Sequence, residues 1–146
     1  MPLDKLLSRL AAEFQERIDG CSAVLLAYRP TPEHHAVIGT SSNPHPEIDL
    51  VIRSLEQQAS TCCEPVEIAE EEHGKIRRLL GVSTTRGLLY PVRSLPGAPV
   101  ELSVVALFDE TRPLPEEALP EAHLHELLFH LRGAALRQSQ FQVNGS

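Results

Sequence analysis

Apolar residues recur with a helical period at the start of the chain. They occupy Leu3, Leu6, Leu7, Leu10, Ala11, Phe14 and Ile18. Spacings of three and four place these side chains on one face of a helix, because an α-helix makes one turn in about 3.6 residues. Gly20 is well suited to end the helix. The pattern therefore predicts an amphipathic helix from Leu3 to Ile18.

Two apolar runs that are too short for helices follow. Ser22 to Tyr28 contains five consecutive apolar residues and predicts a buried strand, and His35 to Thr40 predicts a second strand. Arg29 to Glu33 would form the hairpin connection between them. Helical spacing returns from Glu47 to Ala59. The apolar residues of this segment are Ile48, Val51, Ile52 and Leu55, which share one helix face.

The middle of the chain combines weak and strong signals. Val66 to Ile68 predicts a short edge strand, and His73 to Leu80 predicts a helix that ends at Gly81. Gly87 to Arg93 and Val100 to Phe108 are the strongest strand signals. Because a turn rich in proline and glycine separates them, they predict an antiparallel hairpin.

The last predicted element is a helix from about Pro115 to Gln138. Its apolar residues form two lines, the first of which is Leu124, Leu127, Leu128, Leu131 and Ala135. The second, less apolar line is Ala122, Phe129, Gly133 and Leu136. A helix with two apolar lines often has two neighbours. Beyond it, 139–146 is expected to be a flexible tail of a single domain that spans 1–138.

The order of these elements predicts the fold class. Strands joined by hairpins, without regular alternation of strand and helix, indicate an antiparallel sheet against which the helices pack. We therefore expect an α+β fold with a central antiparallel sheet flanked by helices. A chain of 146 residues is the usual size for one such domain.

The composition argues against several classes of binding partner and indicates a cellular location. The chain carries 13 Lys and Arg against 20 Asp and Glu, a formal charge of -7, which argues against a nucleic-acid partner. No stretch approaches the length of a membrane span, and no secretory signal is evident, so we expect no membrane partner. Three cysteines are an odd number for a disulfide framework. A cytoplasmic location fits these features.

Residues that often carry chemistry do not form a familiar motif. The chain has seven histidines, but His123 and His125 point in nearly opposite directions on a helix, and the spacing from His125 to His130 is one residue too long for a zinc-protease motif. We therefore predict no metal site. The chain also has no nucleophile elbow, phosphate-binding glycine loop or dinucleotide fingerprint. These features predict a protein that is not an enzyme.

The later half of the chain resembles a known family. RGLLYPVRS (Arg86 to Ser94), VELSVVALFDE (Val100 to Glu110) and RPLPEEAL (Arg112 to Leu119) are similar in order and type to the later half of GAF domains. The resemblance implies a small-ligand sensor or regulatory domain with a sheet of about six strands and helices on both faces. It also implies that the first and last helices pack together on one face and that a ligand pocket lies on the other.

The resemblance also implies where a ligand would bind. The pocket would be walled by 41–60, by 62–86 and by the near end of the strand that follows. The candidate ligand-binding residues there are Cys62, Cys63, His73, Arg86 and Tyr90. The sequence identifies neither the small molecule nor a cofactor, and the signatures of cyclic-nucleotide and tetrapyrrole binding are missing. The terminal helices would form a homodimer interface.

Two alternatives stay open at this point. Cys62 and Cys63 are adjacent, and a reactive pair would make the chain a small thiol-based redox enzyme related to the methionine sulfoxide reductases of the GAF family. The chain would otherwise be a protein-interaction module whose pocket is filled by its own side chains. The leading hypothesis is a regulatory domain that signals through its terminal helices.

Overall fold

The computed structural model describes residues 3–18, 20–31, 36–40, 47–58, 65–84, 86–95, 97–109 and 120–145. Its elements are α1 (Leu3–Arg17), β1 (Cys21–Tyr28), β2 (Val37–Thr40), α2 (Ile48–Gln58), β3 (Val66–Glu67), α3 (Glu70–Leu80), β4 (Arg86–Val92), β5 (Leu102–Phe108) and α4 (Glu121–Gly145). The predicted α+β fold is confirmed, since helices flank an antiparallel sheet.

The sheet has the strand order β2-β1-β5-β4-β3, and every neighbouring pair is antiparallel. The predicted β1–β2 and β4–β5 pairings and the edge position of β3 are confirmed. The expectation of about six strands is wrong for the described residues, where the sheet has five. The five are the strands that the apolar pattern indicates. The sixth came only from the resemblance, and no described segment supplies it.

The boundaries of α3 show that the apolar pattern alone does not locate the first residue of a helix. The helix begins at Glu70, ahead of the predicted start at His73, because the acidic first turn of Glu70, Glu71 and Glu72 stabilises the positive end of the helix dipole. It ends as predicted, with Gly81 in the left-handed region at φ 68° and its N–H donating to the carbonyl of Arg77.

α4 differs from its prediction at both ends. The first part of the predicted helix, 115–119, lies outside the described residues, and α4 begins after Pro120, whose carbonyl accepts hydrogen bonds from the backbone N–H groups of His123 and Leu124. The helix continues to Gly145. It therefore extends past the predicted end at Gln138, through the segment that the sequence predicts as a tail.

Two separate cores hold the layers together. On one face of the sheet, α1 and α4 cover the even-numbered side chains of β4 and β5, and on the other face α2 and α3 cover the odd-numbered ones. The expected packing of the first and last helices on one face is confirmed. At their contact, the Phe14 ring meets the His123 ring edge-on at 5.9 Å between centroids, and Arg17 Nη1 lies 2.9 Å from His123 Nε2.

Candidate functional site

The structure separates the predicted ligand-binding residues. Cys62 and Cys63 lie outside the described residues, so their role stays a prediction. His73 is buried on α3, where its Nε2 lies 3.1 Å from the hydroxyl oxygen of Thr84. Arg86 is half-exposed and donates to Glu67 Oε1 from Nε at 3.3 Å and from Nη2 at 3.2 Å.

Tyr90 lies on the opposite face of the sheet from His73. Side chains alternate along a strand, so Arg86, Leu88 and Tyr90 share the face that α1 and α4 cover. His73 belongs instead to the α3 layer on the other face. The expectation that His73, Arg86 and Tyr90 line one pocket is therefore corrected, and each role as a ligand contact stays a prediction.

Tyr90 is nevertheless an unusual core residue. Its hydroxyl is buried and has no hydrogen-bond partner among the described residues. Burial raises the pKa of Tyr90, and the nearby Cys21 adds to the effect. The phenol therefore stays neutral, as expected for a group that packs in an apolar layer.

Apolar side chains fill the face of the sheet on which the pocket was expected. In the described part of the chain, α2 and α3 contribute Ile48, Ile52, Leu55, Ile76 and Leu80 to this layer. They pack on Leu25, Leu89, Val105 and Leu107 of the sheet. This packing favours sites at the rim of the layer over a cavity between the helices and the sheet.

A cluster of buried charged groups lies at one such rim. Arg29 Nη2 donates to Asp49 Oδ1 at 2.9 Å and lies 3.6 Å from Glu56 Oε2, and only 4% of the arginine side chain is exposed. Ser103 donates its hydroxyl to Glu56 Oε1 at 2.6 Å. Arg53 Nη2 lies 4.0 Å from Asp49 Oδ2. We call these five residues the Arg29 cluster.

The sheet register and the helix period together bring the cluster into place. Ala27 of β1 and Pro91 of β4 both pair with Ser103 of β5, so Arg29 and Arg93 follow two residues later on the same face. On α2, positions 49, 53 and 56 have spacings of four and three, which place their side chains on one face. The helix thereby sets two carboxylates over the ends of the strands.

The carboxyl of Glu56 has a perturbed pKa. Burial raises its pKa, while the hydrogen bond from Ser103 and the positive charge of Arg29 oppose the rise, and the negative charge of Asp49 adds to it. A group with this combination of burial and specific charged neighbours in a cleft is a candidate for function.

The pKa of Glu56 makes its contribution to stability depend on pH. Because the folded pKa is raised, the folded state holds this proton more tightly than the unfolded chain does, and the contribution falls as pH rises through the folded pKa. We expect Glu56→Gln to gain stability relative to the wild type as pH rises from about 4, near the ordinary pKa of a glutamate, to about 8. Urea unfolding at both pH values measures this difference, and a difference that does not change with pH would contradict the assignment.

The Arg29 cluster opens into a surface cleft of about 320 Å³. The cleft, which we call the Arg29 cleft, is lined by Arg29, Arg53, Glu56, Gln57, Arg93, Pro99 and Val100. Sequence reasoning missed it because its residues come from four separate segments. The available signal was the row of Asp49, Arg53 and Glu56 directly beside the apolar face of α2.

Cys21 is the cysteine that the described residues include. It is a free, half-buried thiol at the start of β1, and its Sγ donates to the carbonyl of Ala23 at 3.1 Å. Burial raises the pKa of this thiol, so little of it is thiolate at neutral pH.

Within the described ranges, His, Cys, Asp and Glu side chains form no group that would hold a metal ion. None of the helices described has the length and apolar character needed to cross a bilayer.

Comparisons with known proteins give no family. No protein-family model matches the chain, and no curated protein matches it. Among solved structures, the chain is similar to a hypothetical protein, SA1058, from S. aureus, at 20% sequence identity and a TM-score of 0.43, over 77% of this chain and 96% of that one. The function of the chain therefore has to be inferred from its own residues.

Proposed function

We propose that the chain is a non-catalytic regulatory domain of GAF type that acts in the cytoplasm as a homodimer and binds a small ligand or a partner. One observation carries the proposal. The outer face of α4 presents Phe129, 66% exposed, and Leu136, 63% exposed, although its inner face is already buried against the core. Large apolar side chains aligned on the outside of a helix are typical of a protein–protein contact.

The pattern on α4 fits a second copy of the same helix. Phe129, Gly133 and Leu136 have spacings of four and three and so lie in one line, and Gly133 lets another backbone approach closely. In an antiparallel pair about a twofold axis near Gly133, Phe129 packs against the partner's Leu136, and the partner's Phe129 packs against Leu136. The line is thus complementary to itself, as a twofold interface requires.

Charge favours the antiparallel arrangement over the parallel one. Glu126 and Arg137 are both exposed, near opposite ends of this line. A parallel pair would set each of them against the same residue of the partner, whereas an antiparallel pair sets Glu126 near the partner's Arg137. The Arg132 guanidinium lies 5.9 Å from the centre of the Phe129 ring and makes a bidentate ion pair with Glu101. This ion pair restrains the arginine side chain beside Phe129.

The environments of Ser103, Cys21 and His73, three reactive side chains in the described part of the chain, support binding more than catalysis. Ser103 is fully buried and donates its hydroxyl to Glu56, and the Cys21 thiol is partly buried with a raised pKa. His73 is buried against Thr84. A nucleophile or general base must reach a substrate, and these three groups face the protein interior.

Replacing Leu136 with glutamate should dissociate the dimer. Burial of a leucine side chain stabilises a contact by about 1.5–3 kcal/mol, and the twofold dimer contains this contact twice, so Leu136→Glu should raise the dimer dissociation constant by roughly 100- to 10,000-fold. Sedimentation equilibrium of the full chain measures it. The matched control is Leu50→Glu on α2, because Leu50 is also 63% exposed; it should leave the constant unchanged.

The charges of α4 give a second test of the arrangement. Glu126→Arg should weaken the dimer, and Glu126→Arg combined with Arg137→Glu should restore it, because the swapped pair regains opposite charges. A wild-type chain that sediments as a monomer would refute the homodimer. A Leu50→Glu variant that dissociates as readily as Leu136→Glu would refute α4 as its interface.

A further inference from the structure

We infer that the Arg29 cleft binds a small organic anion through a carboxylate or phosphate group. The inference rests on the proposed function, because it gives the regulatory domain its ligand. It does not depend on the dimer, since the cleft lies on the face of the sheet opposite α1 and α4.

Charge is the first reason. The lining of the cleft contains the guanidinium groups of Arg29, Arg53 and Arg93 and the single carboxyl of Glu56, with Asp49 directly behind Arg29. The chain as a whole has a formal charge of -7. Three guanidinium groups against two carboxyls leave a local excess of one positive charge on a protein whose net charge is negative, and such local fields attract ligands of the opposite sign.

Rigidity is the second reason. Arg29 is held by Asp49 and Glu56, and its backbone N–H donates to the carbonyl of Glu101 at 2.7 Å. Arg53 extends from α2, and Arg93 directly follows β4. Because Asp49 and Glu56 already engage the buried Arg29, this arginine supplies a fixed positive charge at the base of the cleft. The planar guanidinium groups of Arg53 and Arg93 in the lining match the oxygens of a carboxylate or a phosphate.

Size and the apolar wall define the rest of the ligand. Pro99 and Val100 form one side of the cleft and provide a surface for carbon atoms beside the anionic group. A volume of about 320 Å³ lies at the lower end of the range for small-molecule sites. The ligand class is thus a small metabolite with one or two anionic groups and a short carbon skeleton.

Isothermal titration calorimetry of the full chain tests the inference. Potassium succinate is the carboxylate probe, inorganic phosphate is the phosphate probe, and potassium chloride at equal ionic strength controls for screening. We expect saturable binding of one probe per chain. Saturation by succinate alone assigns a carboxylate ligand, saturation by phosphate alone assigns a phosphate ligand, and saturation by both supports the shared chemistry.

Variants separate binding from general electrostatics. Arg93→Ala should weaken binding at least about tenfold, because a charge-assisted hydrogen bond is lost, and Arg93→Lys should keep part of the affinity. Arg9→Ala removes the same charge from α1 on the other face and should leave affinity unchanged.

The inference fails if neither probe saturates or if chloride gives the same heats. It also fails if Arg9→Ala weakens binding as much as Arg93→Ala. Sedimentation of the same samples reports the dimer separately. A dimer that binds no anion would refute the inference alone, and a monomer that binds succinate or phosphate would refute only the homodimer.

Discussion

Replacing Asp49 with asparagine should lower the free energy of unfolding by about 3 kcal/mol. Asp49 is the buried partner of Arg29, at 2.9 Å between Nη2 and Oδ1. Asparagine has nearly the same shape and keeps an oxygen in place, but it removes the negative charge from beside a guanidinium that is almost completely buried. The remaining carboxyl, Glu56, is farther away and has a raised pKa, so it compensates only in part.

Urea unfolding measures the loss, which is a large fraction of the 5–15 kcal/mol that typically stabilises a domain. The control is Glu13→Gln, the same chemical change in the exposed Arg9–Glu13 ion pair of α1. That change should cost less than about 1 kcal/mol, since exposed ion pairs contribute little. Equal effects of the two substitutions would mean that Arg29 does not depend on Asp49.

The helices and strands could be predicted because each amphipathic helix has its own apolar period. Ile48, Ile52 and Leu55 define α2 without reference to the rest of the chain, and the buried face of the helix follows directly. The ends of a helix were harder to predict where charged residues determine them. The three glutamates that open α3 are polar, so the apolar pattern alone placed the start of that helix too late.

The face on which Tyr90 lies could not be predicted, for a physical reason. β4 is buried on both faces, so Leu88, Leu89 and Tyr90 form a continuous apolar run with no polar side to mark solvent. Alternation then shows that Tyr90 faces the same way as Leu88, but not which pair of helices covers them. The resemblance to GAF domains led us to place Tyr90 in the pocket, and the sheet instead directs it toward α1 and α4.

The Arg29 cleft could not be predicted because its geometry is tertiary. Arg29 follows an apolar strand directly, where a charged residue usually indicates a surface turn, and Asp49 and Glu56 border the apolar face of α2. The strand order, which puts β5 between β1 and β4, brings the ends of three strands together beneath α2. An apolar or helical period carries no information about that order.

Replacing Gly39 with alanine should lower the free energy of unfolding by about 3 kcal/mol. Gly39 lies in β2 directly beneath α1, and a Cβ atom there would overlap the backbone carbonyl carbon and Cβ of Leu7 and the backbone nitrogen of Ser8. Backbone atoms cannot move aside as the end of a flexible side chain does, so α1 would have to lift from the sheet and expose part of the core that contains Leu7 and Phe14.

Thermal unfolding tests this contact, with Gly74→Ala as the matched control. Gly74 lies inside α3, where the nearest atom to an added Cβ is Arg77 Nη2 at 3.5 Å, an ordinary van der Waals distance. Alanine is a better helix former than glycine, so Gly74→Ala should stabilise the fold by about 1 kcal/mol. Gly74→Ala should thus raise the melting temperature of the protein, whereas Gly39→Ala should lower it by more than about 8 °C. If Gly39→Ala melts close to the temperature of the wild type, α1 does not pack closely against Gly39, and the position of this helix on the sheet is different from the one described.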